Sequence, residues 1–209
     1  MSTATDLARA MAAAWNAGEP ERVIALAGQA TPSWRDDEAV LSLLGLAQQA
    51  CGHVQQAATS FRRLAQLQPE VSAHWNNLAV VCREAGELAE AEQALLTALA
   101  LAPDDAEVHY NLGLLRIQQR QWLAARQSLL DAVQLSPHFI EARLQAAHAC
   151  HVCGDNTRQE ALLDGAGDWP PQTAEHALLL SAMLSVQGEL DAALHTLARA
   201  QLPAEPAAT

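Results

Sequence analysis

The chain contains no lysine: its twelve basic residues are all arginine, set against 24 acids for a formal net charge of −12. A basic stripe able to neutralise phosphates is therefore missing, and nucleic acid is not an expected partner. Aromatic residues are scarce, with one tyrosine and two phenylalanines among 4% aromatics. No apolar run approaches the roughly 18–20 residues needed to cross a bilayer, so no membrane span is expected. The first twenty residues lack the basic start and long apolar centre of a secretory leader, and no N-terminal lipidation pattern is present. Cysteines are few, and Cys51, Cys82, Cys150 and Cys153 all fall in helix-like stretches. That placement suits a reduced, cytoplasmic setting. Strand patterns are missing too, so no glycine-rich phosphate loop can follow one. No serine or cysteine nucleophile motif appears, and the chain is not expected to be an enzyme.

What is abundant is alanine, in a chain that is 50% hydrophobic. Alanine has the best helix propensity, and its small side chain lets helices pack closely. The arrangement is periodic. Residues 72–105 and 106–139 are two 34-residue blocks that overlay without a gap, matching Asn77-Leu78 with Asn111-Leu112, Ala91 with Ala125, Ala98 with Ala132 and Pro103 with Pro137. A fixed period of about 34 residues with this W/Y…L-G…A…A…P pattern marks a helix–turn–helix repeat. The chain resembles the tetratricopeptide-repeat proteins, many of them bacterial. The resemblance implies an all-α solenoid in a right-handed superhelix.

Carrying the frame both ways gives six units over 4–207, namely 4–37, 38–71, 72–105, 106–139, 140–173 and 174–207, with 203–209 as a tail or linker. Each unit holds helix A, a turn, helix B and a second turn. Small residues at positions eight and twenty, such as Gly45 and Ala57, permit close approach of A to B. A large residue at twenty-four, such as Phe61, Leu95 or Leu129, fills the space between units. Glycine near position fifteen, such as Gly52, supplies the left-handed cap that ends helix A. Proline near thirty-two, such as Pro69, stops helix B. Trp75 joins Phe61, Leu95 and Leu129 as an expected core residue. Unit 4–37 is the weaker match, with a short helix B before Pro32. Unit 140–173 shifts its small residue to Ala161 and becomes irregular over 164–173. Helix A of the last unit is apolar nearly all round, so both faces should be covered. Its helix B carries Leu190, Ala193, Leu194 and Leu197 on one side.

One run invites a metal reading, His148-Ala-Cys150-His151-Val-Cys153. At 100° per residue the cysteines fall near roughly 200° and 140°, and the histidines near roughly 0° and 300°. The pairs point to opposite faces, and a single C-x-x-C supplies half a structural zinc site. Cys150 and Cys82 share position eleven of their units, while Cys51 and Cys153 share fourteen. Buried structural thiols are therefore expected, with no metal and no cofactor.

The resemblance also implies which positions look into a concave groove: two, five, six, nine, twelve and thirteen of each unit. Position six gives Asn77, Asn111 and Gln145, carboxamides that can donate to and accept from a peptide backbone. Tyr110 stands at five. Position nine gives Leu114 and His148, and position twelve gives Arg83, Ile117 and His151. Position two gives Glu107, Glu141 and Glu175. The expected groove is apolar along its middle and amide-bearing, with acids towards the C-terminal half. It suits a protein or peptide partner; the acidity is compatible with a basic one but also serves solubility, and His148 with His151 read as ordinary surface histidines ahead of a pair that tunes binding with pH. A carboxylate clamp built on lysine is excluded, since lysine is absent.

Two further readings come from the same residues. The stretch from Ala147 to Pro171 resembles repeat domains that precede a sulfotransferase domain in some bacterial proteins. The chain would then be the N-terminal recognition module of a larger transferase, of sulfotransferase or glycosyltransferase type. The open C-terminal end offers the other reading, a homo-oligomer joined through the last helix.

Overall fold

The computed structural model describes residues 4–29, 36–169 and 174–189, together with Ala192, Ala193, His195, Thr196 and Ala198. The protein is an all-α solenoid, with eleven α-helices among the described residues. In chain order these are α1 (Ala4–Asn16), α2 (Pro20–Ala27), α3 (Glu38–Ala50), α4 (Val54–Leu67), α5 (Ser72–Glu84), α6 (Leu88–Leu101), α7 (Ala106–Gln118), α8 (Trp122–Leu135), α9 (Ile140–Val152), α10 (Asn156–Leu162) and α11 (Ala174–Gln187). The chain divides into two compact units, 1–111 and 112–209, with the boundary inside α7. In the first, α1 packs on α2 and α3, and each later helix packs on the next as far as α6. In the second, α8 packs on α9, and α9 packs on both α10 and α11.

The small residues at positions eight and twenty set how closely the helices of a pair approach. Ala57, Ala79, Ala91, Ala125 and Ala147 are all essentially sealed from solvent. The position-twenty-four residues Phe61, Leu95 and Leu129 sit beside them at 0%, 1% and 0% exposure, in the core as expected. At Gly45 an added Cβ would lie 2.7 Å from Phe61 Cζ, and at Gly113 it would lie 2.5 Å from Leu129 Cγ. Nothing larger than hydrogen fits there, which is why the frame carries glycine.

Helix A ends the same way in each of the six units. The residue at position fifteen turns left-handed, and the next amide reaches back to a carbonyl five residues earlier. Examples are His53 N to Gln48 O at 2.8 Å and Glu87 N to Cys82 O at 2.8 Å. Glycine fills this position at Gly18, Gly52, Gly86, Gly154 and Gly188, but the fourth unit places Arg120 there at φ 60°. Aspartates cap several helix starts: the Asp37 carboxylate accepts from Val40 N at 3.1 Å, and Asp105 accepts from Glu107 N at 2.9 Å. Such caps satisfy amides that the helix leaves open.

Three sequence expectations are corrected. Trp75 is half-buried rather than core, its indole N–H donating to the Pro69 carbonyl at 2.8 Å, while His74 and Asn76 on either side are buried. Ala161 is exposed; position twenty of its unit is filled by Gln159, 2% exposed, whose amide oxygen meets His151 Nδ1 at 3.1 Å. A polar side chain is tolerated inside because it has a partner. Helix α11 does not have both faces covered, since Leu178 and Val186 are 63% and 57% exposed. Leu180, Met183 and Leu184 cover the other side, joining Leu144, Ala147, Leu163, Ala166, Trp169 and Ala193 in one core. After α10 the chain passes through a left-handed Gly165 and a short 3-10 turn, Ala166–Asp168, to Trp169. Residues 170–173, Leu190, Leu194, Leu197 and the tail 203–209 lie outside the described residues.

Candidate functional site

The predicted site residues fall on A helices in both compact units. In the first, α5 and the start of α7 carry Asn77, Arg83, Glu107, Tyr110 and Asn111. Asn111 is 7% exposed, and its Nδ2 donates to Asn76 Oδ1 at 2.9 Å. That pairing draws the Asn111 carboxamide inward between α5 and α7. Asn77 is half-buried, and no hydrogen bond among the described residues engages its side chain. Arg83 is half-buried with its Nε enclosed and unpartnered. Next to it Gln49 of α3 donates to Glu84 of α5 at 2.9 Å, tying the two A helices together. Glu107 is exposed and Tyr110 half-buried.

In the second unit three predicted residues come together. Ile117, Gln145 and His148 line one cavity of about 360 Å³ with Leu178 and Leu179. Leu114 and Glu141 are half-buried and stand outside that lining. The His148 ring lies edge-on to Trp122, centroids 5.5 Å apart at 72°. Burial, and secondarily the neighbouring His151, holds the His148 pKa below its ordinary value, so the imidazole is neutral at pH 7. His151 is turned to Gln159 on α10.

Leu178 stands at position five of the last unit, a groove position in the repeat frame, but was not singled out from the sequence. The signal was there in the unbroken apolar character of α11: a helix apolar all round but packed on one side must expose the other. Trp122 was missed because it opens helix B, which the family frame places away from the groove.

Among the described residues, the one set of three or more metal-type donors that gathers is Cys82, Glu87 and Glu90, with ligand atoms within 4.8 Å of one another. The 148–153 run does not gather. Arg62 of α4 already grips Glu90 of α6 in two-point fashion, Nε to Oε1 at 2.7 Å and Nη2 to Oε2 at 2.8 Å. That guanidinium holds the Glu90 carboxyl below the usual range. Burial, then Glu90 and Glu87, pushes the Cys82 thiol up to about 12. A protonated thiol is a poor metal ligand, and the bidentate arginine occupies the carboxylate a metal would need. The cluster ties α4 to α6. All four cysteines are free; Cys82 and Cys150 are buried, whereas Cys51 and Cys153 are half-buried rather than enclosed. No helix among the described residues is long and apolar enough to cross a membrane.

The repeat frame, the left-handed caps and the stacked helix pairs define a class, the helix–turn–helix repeat proteins. The family described as Tetratricopeptide repeat matches residues 42–106 and 89–138, and the chain is similar to it over those residues. Solved structures extend the likeness in fold over most of the chain. PilF of Pseudomonas aeruginosa has a TM-score of 0.76 at 18% identity, covering 92% of this chain and 88% of its own. A thermophilic tetratricopeptide-repeat protein of Thermus thermophilus, TTC0263, has a TM-score of 0.65 at 24% identity, covering 78% and 89%. YrrB, described as a tetratricopeptide-repeat protein with an unusual peptide-binding site, has a TM-score of 0.56 at 17% identity, covering 79% and 85%. No curated protein sequence matches the chain.

Proposed function

We propose that the chain is a non-enzymatic scaffold, one array of six units over 4–207, whose A helices bind a peptide segment of a partner protein. The observation that carries this reading is the cavity formed by Ile117, Gln145, His148, Leu178 and Leu179. It combines aliphatic walls with a carboxamide and an imidazole, the mixture that holds a side chain and satisfies the backbone beside it. The free carboxamide of Asn77 and the unpaired Arg83 supply polar contacts on the other unit. Peptide binding by YrrB, a protein of like fold, supports the reading by analogy. A net charge of −12, with Glu107 exposed, favours a basic segment. Four free thiols suit a cytoplasmic home.

The test is selection of binders from a displayed random-peptide library, followed by calorimetry. Ile117→Ala with Gln145→Ala should weaken the selected peptide at least tenfold, and Asn77→Ala severalfold, with melting temperatures nearly unchanged. Asn111 is unsuited to the same test, because its loss would orphan buried Asn76. Selected peptides that bind these variants as well as the parent would sink the proposal.

Self-association is a second reading, favoured by the exposed Leu178 and Val186 of α11. Sedimentation showing a monomer at high concentration would remove it. The transferase-module reading rests on the 147–171 stretch alone, and the gene sequence beyond Thr209 tests it.

A further inference from the structure

Resting on the peptide-binding reading above, we infer that the cavity between α7, α9 and α11 takes one large apolar side chain of the bound segment, and that protonating His148 expels it.

The geometry sets the occupant. Ile117, Leu178 and Leu179 give three aliphatic walls around about 360 Å³, and Leu178 is 63% exposed while the cavity stands open. A side chain such as Leu, Met or Phe would cover that apolar surface, which favours seating it. The Gln145 carboxamide stands on the same cavity and offers a donor and an acceptor to the peptide units flanking that side chain. No charged residue lines it, so a charged side chain would lose water there without gaining a partner.

His148 completes the wall and is the one ionisable group in it. Its ring is held against Trp122, so it does not swing freely away. Neutral, it is compatible with an apolar neighbour. Protonated, it would have to give up the water that solvates it when the ligand seats. The groups around it offer no compensation. On α9 itself, His151 is the titratable group whose charge reaches His148, and it disfavours the imidazolium. Arg143 is committed to the Leu162 carbonyl and lies over Trp169. Glu141 stands two helical turns earlier. From α8, Arg126 pairs with Asp155 at the start of α10. From α7, Arg116 donates to Ser128 and the Ala124 carbonyl. From α11 comes His176, and of all these groups His151 is the one that shifts His148. No carboxylate therefore steadies the charged form. Seating the ligand lowers the proton affinity of His148 further, so binding releases a proton and weakens as pH falls.

The experiment uses the whole chain with 13C-labelled Ile and Leu methyl groups. Two uncharged probes are titrated in, N-acetyl-leucine N-methylamide and its glycine counterpart, at pH 8 and pH 5. The leucine probe should shift the Ile117, Leu178 and Leu179 methyl signals at pH 8, and the glycine probe should not. Its affinity should drop about tenfold per pH unit below the His148 midpoint read in the same spectra. His148→Gln should bind the probe equally at both pH values, and His151→Gln should keep the pH dependence. Leu178→Ser, a change at an exposed position, should abolish binding while the fold stands. Unmoved methyl signals at pH 8, or pH dependence that survives in His148→Gln, overturns the inference. Selected peptides that bind with these methyls unmoved defeat the anchor cavity and leave the peptide-binding reading intact. A leucine probe that binds where no selected peptide does supports the cavity and defeats the wider reading.

Discussion

Gly45→Ala should destabilise the protein, although helix propensity alone predicts the reverse. Gly45 lies within α3, where alanine in place of glycine is worth about 1 kcal/mol of added stability in an unhindered helix. Here the new Cβ would sit 2.7 Å from Phe61 Cζ, 2.8 Å from Cε2 and 3.0 Å from Cε1. Carbon atoms rest about 3.5–4.0 Å apart, so the ring has to retreat by close to 1 Å. Phe61 is 0% exposed, so its ring can retreat only against the side chains packed round it. Overpacking of this kind costs about 1–3 kcal/mol, and a flat ring met at three atoms belongs at the upper end. The net expectation is a loss of about 1–2 kcal/mol. Urea unfolding followed by circular dichroism measures it as a lower midpoint with unchanged slope. Phe61→Leu removes the outer ring atoms, so in the double variant the alanine should become neutral or stabilising, with a coupling energy of about 1–2 kcal/mol. A raised midpoint for Gly45→Ala alone would show that α3 and α4 do not approach this closely.

Arg120→Gly should stabilise by about 0.5–1 kcal/mol, because a left-handed L-residue costs roughly 1–2 kcal/mol and the added freedom of unfolded glycine takes part of that back. Thermal melting of that variant checks it. A disulfide-exchange reagent at pH 8 should label Cys51 and Cys153 first, and reach buried Cys82 and Cys150 only as urea unfolds the chain. Acid should weaken the fold through His148. Its folded pKa lies below the ordinary value near 6.5, so the unfolded chain takes up the proton first. Stability then falls as pH drops below about 6.5 and levels off once folded His148 is also charged. His148→Gln should flatten that part of the stability–pH curve.

Much of the fold was legible in advance. Residues recurring at 34-residue intervals keep the same packing role, so Gly45, Ala57 and Phe61 could be assigned to a close helix contact from their spacing. Aspartates at helix starts were legible for a local reason: an Asp side chain reaches amides two or three residues on whatever the surroundings. The site was legible in part. Ile117, Gln145 and His148 were expected on one face because the resemblance implies it, and in the structure all three line one cavity.

Other features depended on neighbours far along the chain. Trp75 and Asn76 sit 100° apart on α5, too close for periodicity to choose which turns inward. Asn76 goes in because Asn111, 35 residues later, gives it a partner; Trp75 stays half out because its N–H finds the Pro69 carbonyl. Gln159 displaces alanine from a small-residue position because His151 can satisfy it. Arg120 adopts the glycine turn because the Gln121 amide still closes onto the Arg116 carbonyl. Sequence alone decided the helices and the faces they bury, since these follow from propensity and period. Tertiary structure alone decided which polar groups could be buried and where a cavity stayed open, since both depend on what another helix brings within hydrogen-bonding or van der Waals distance.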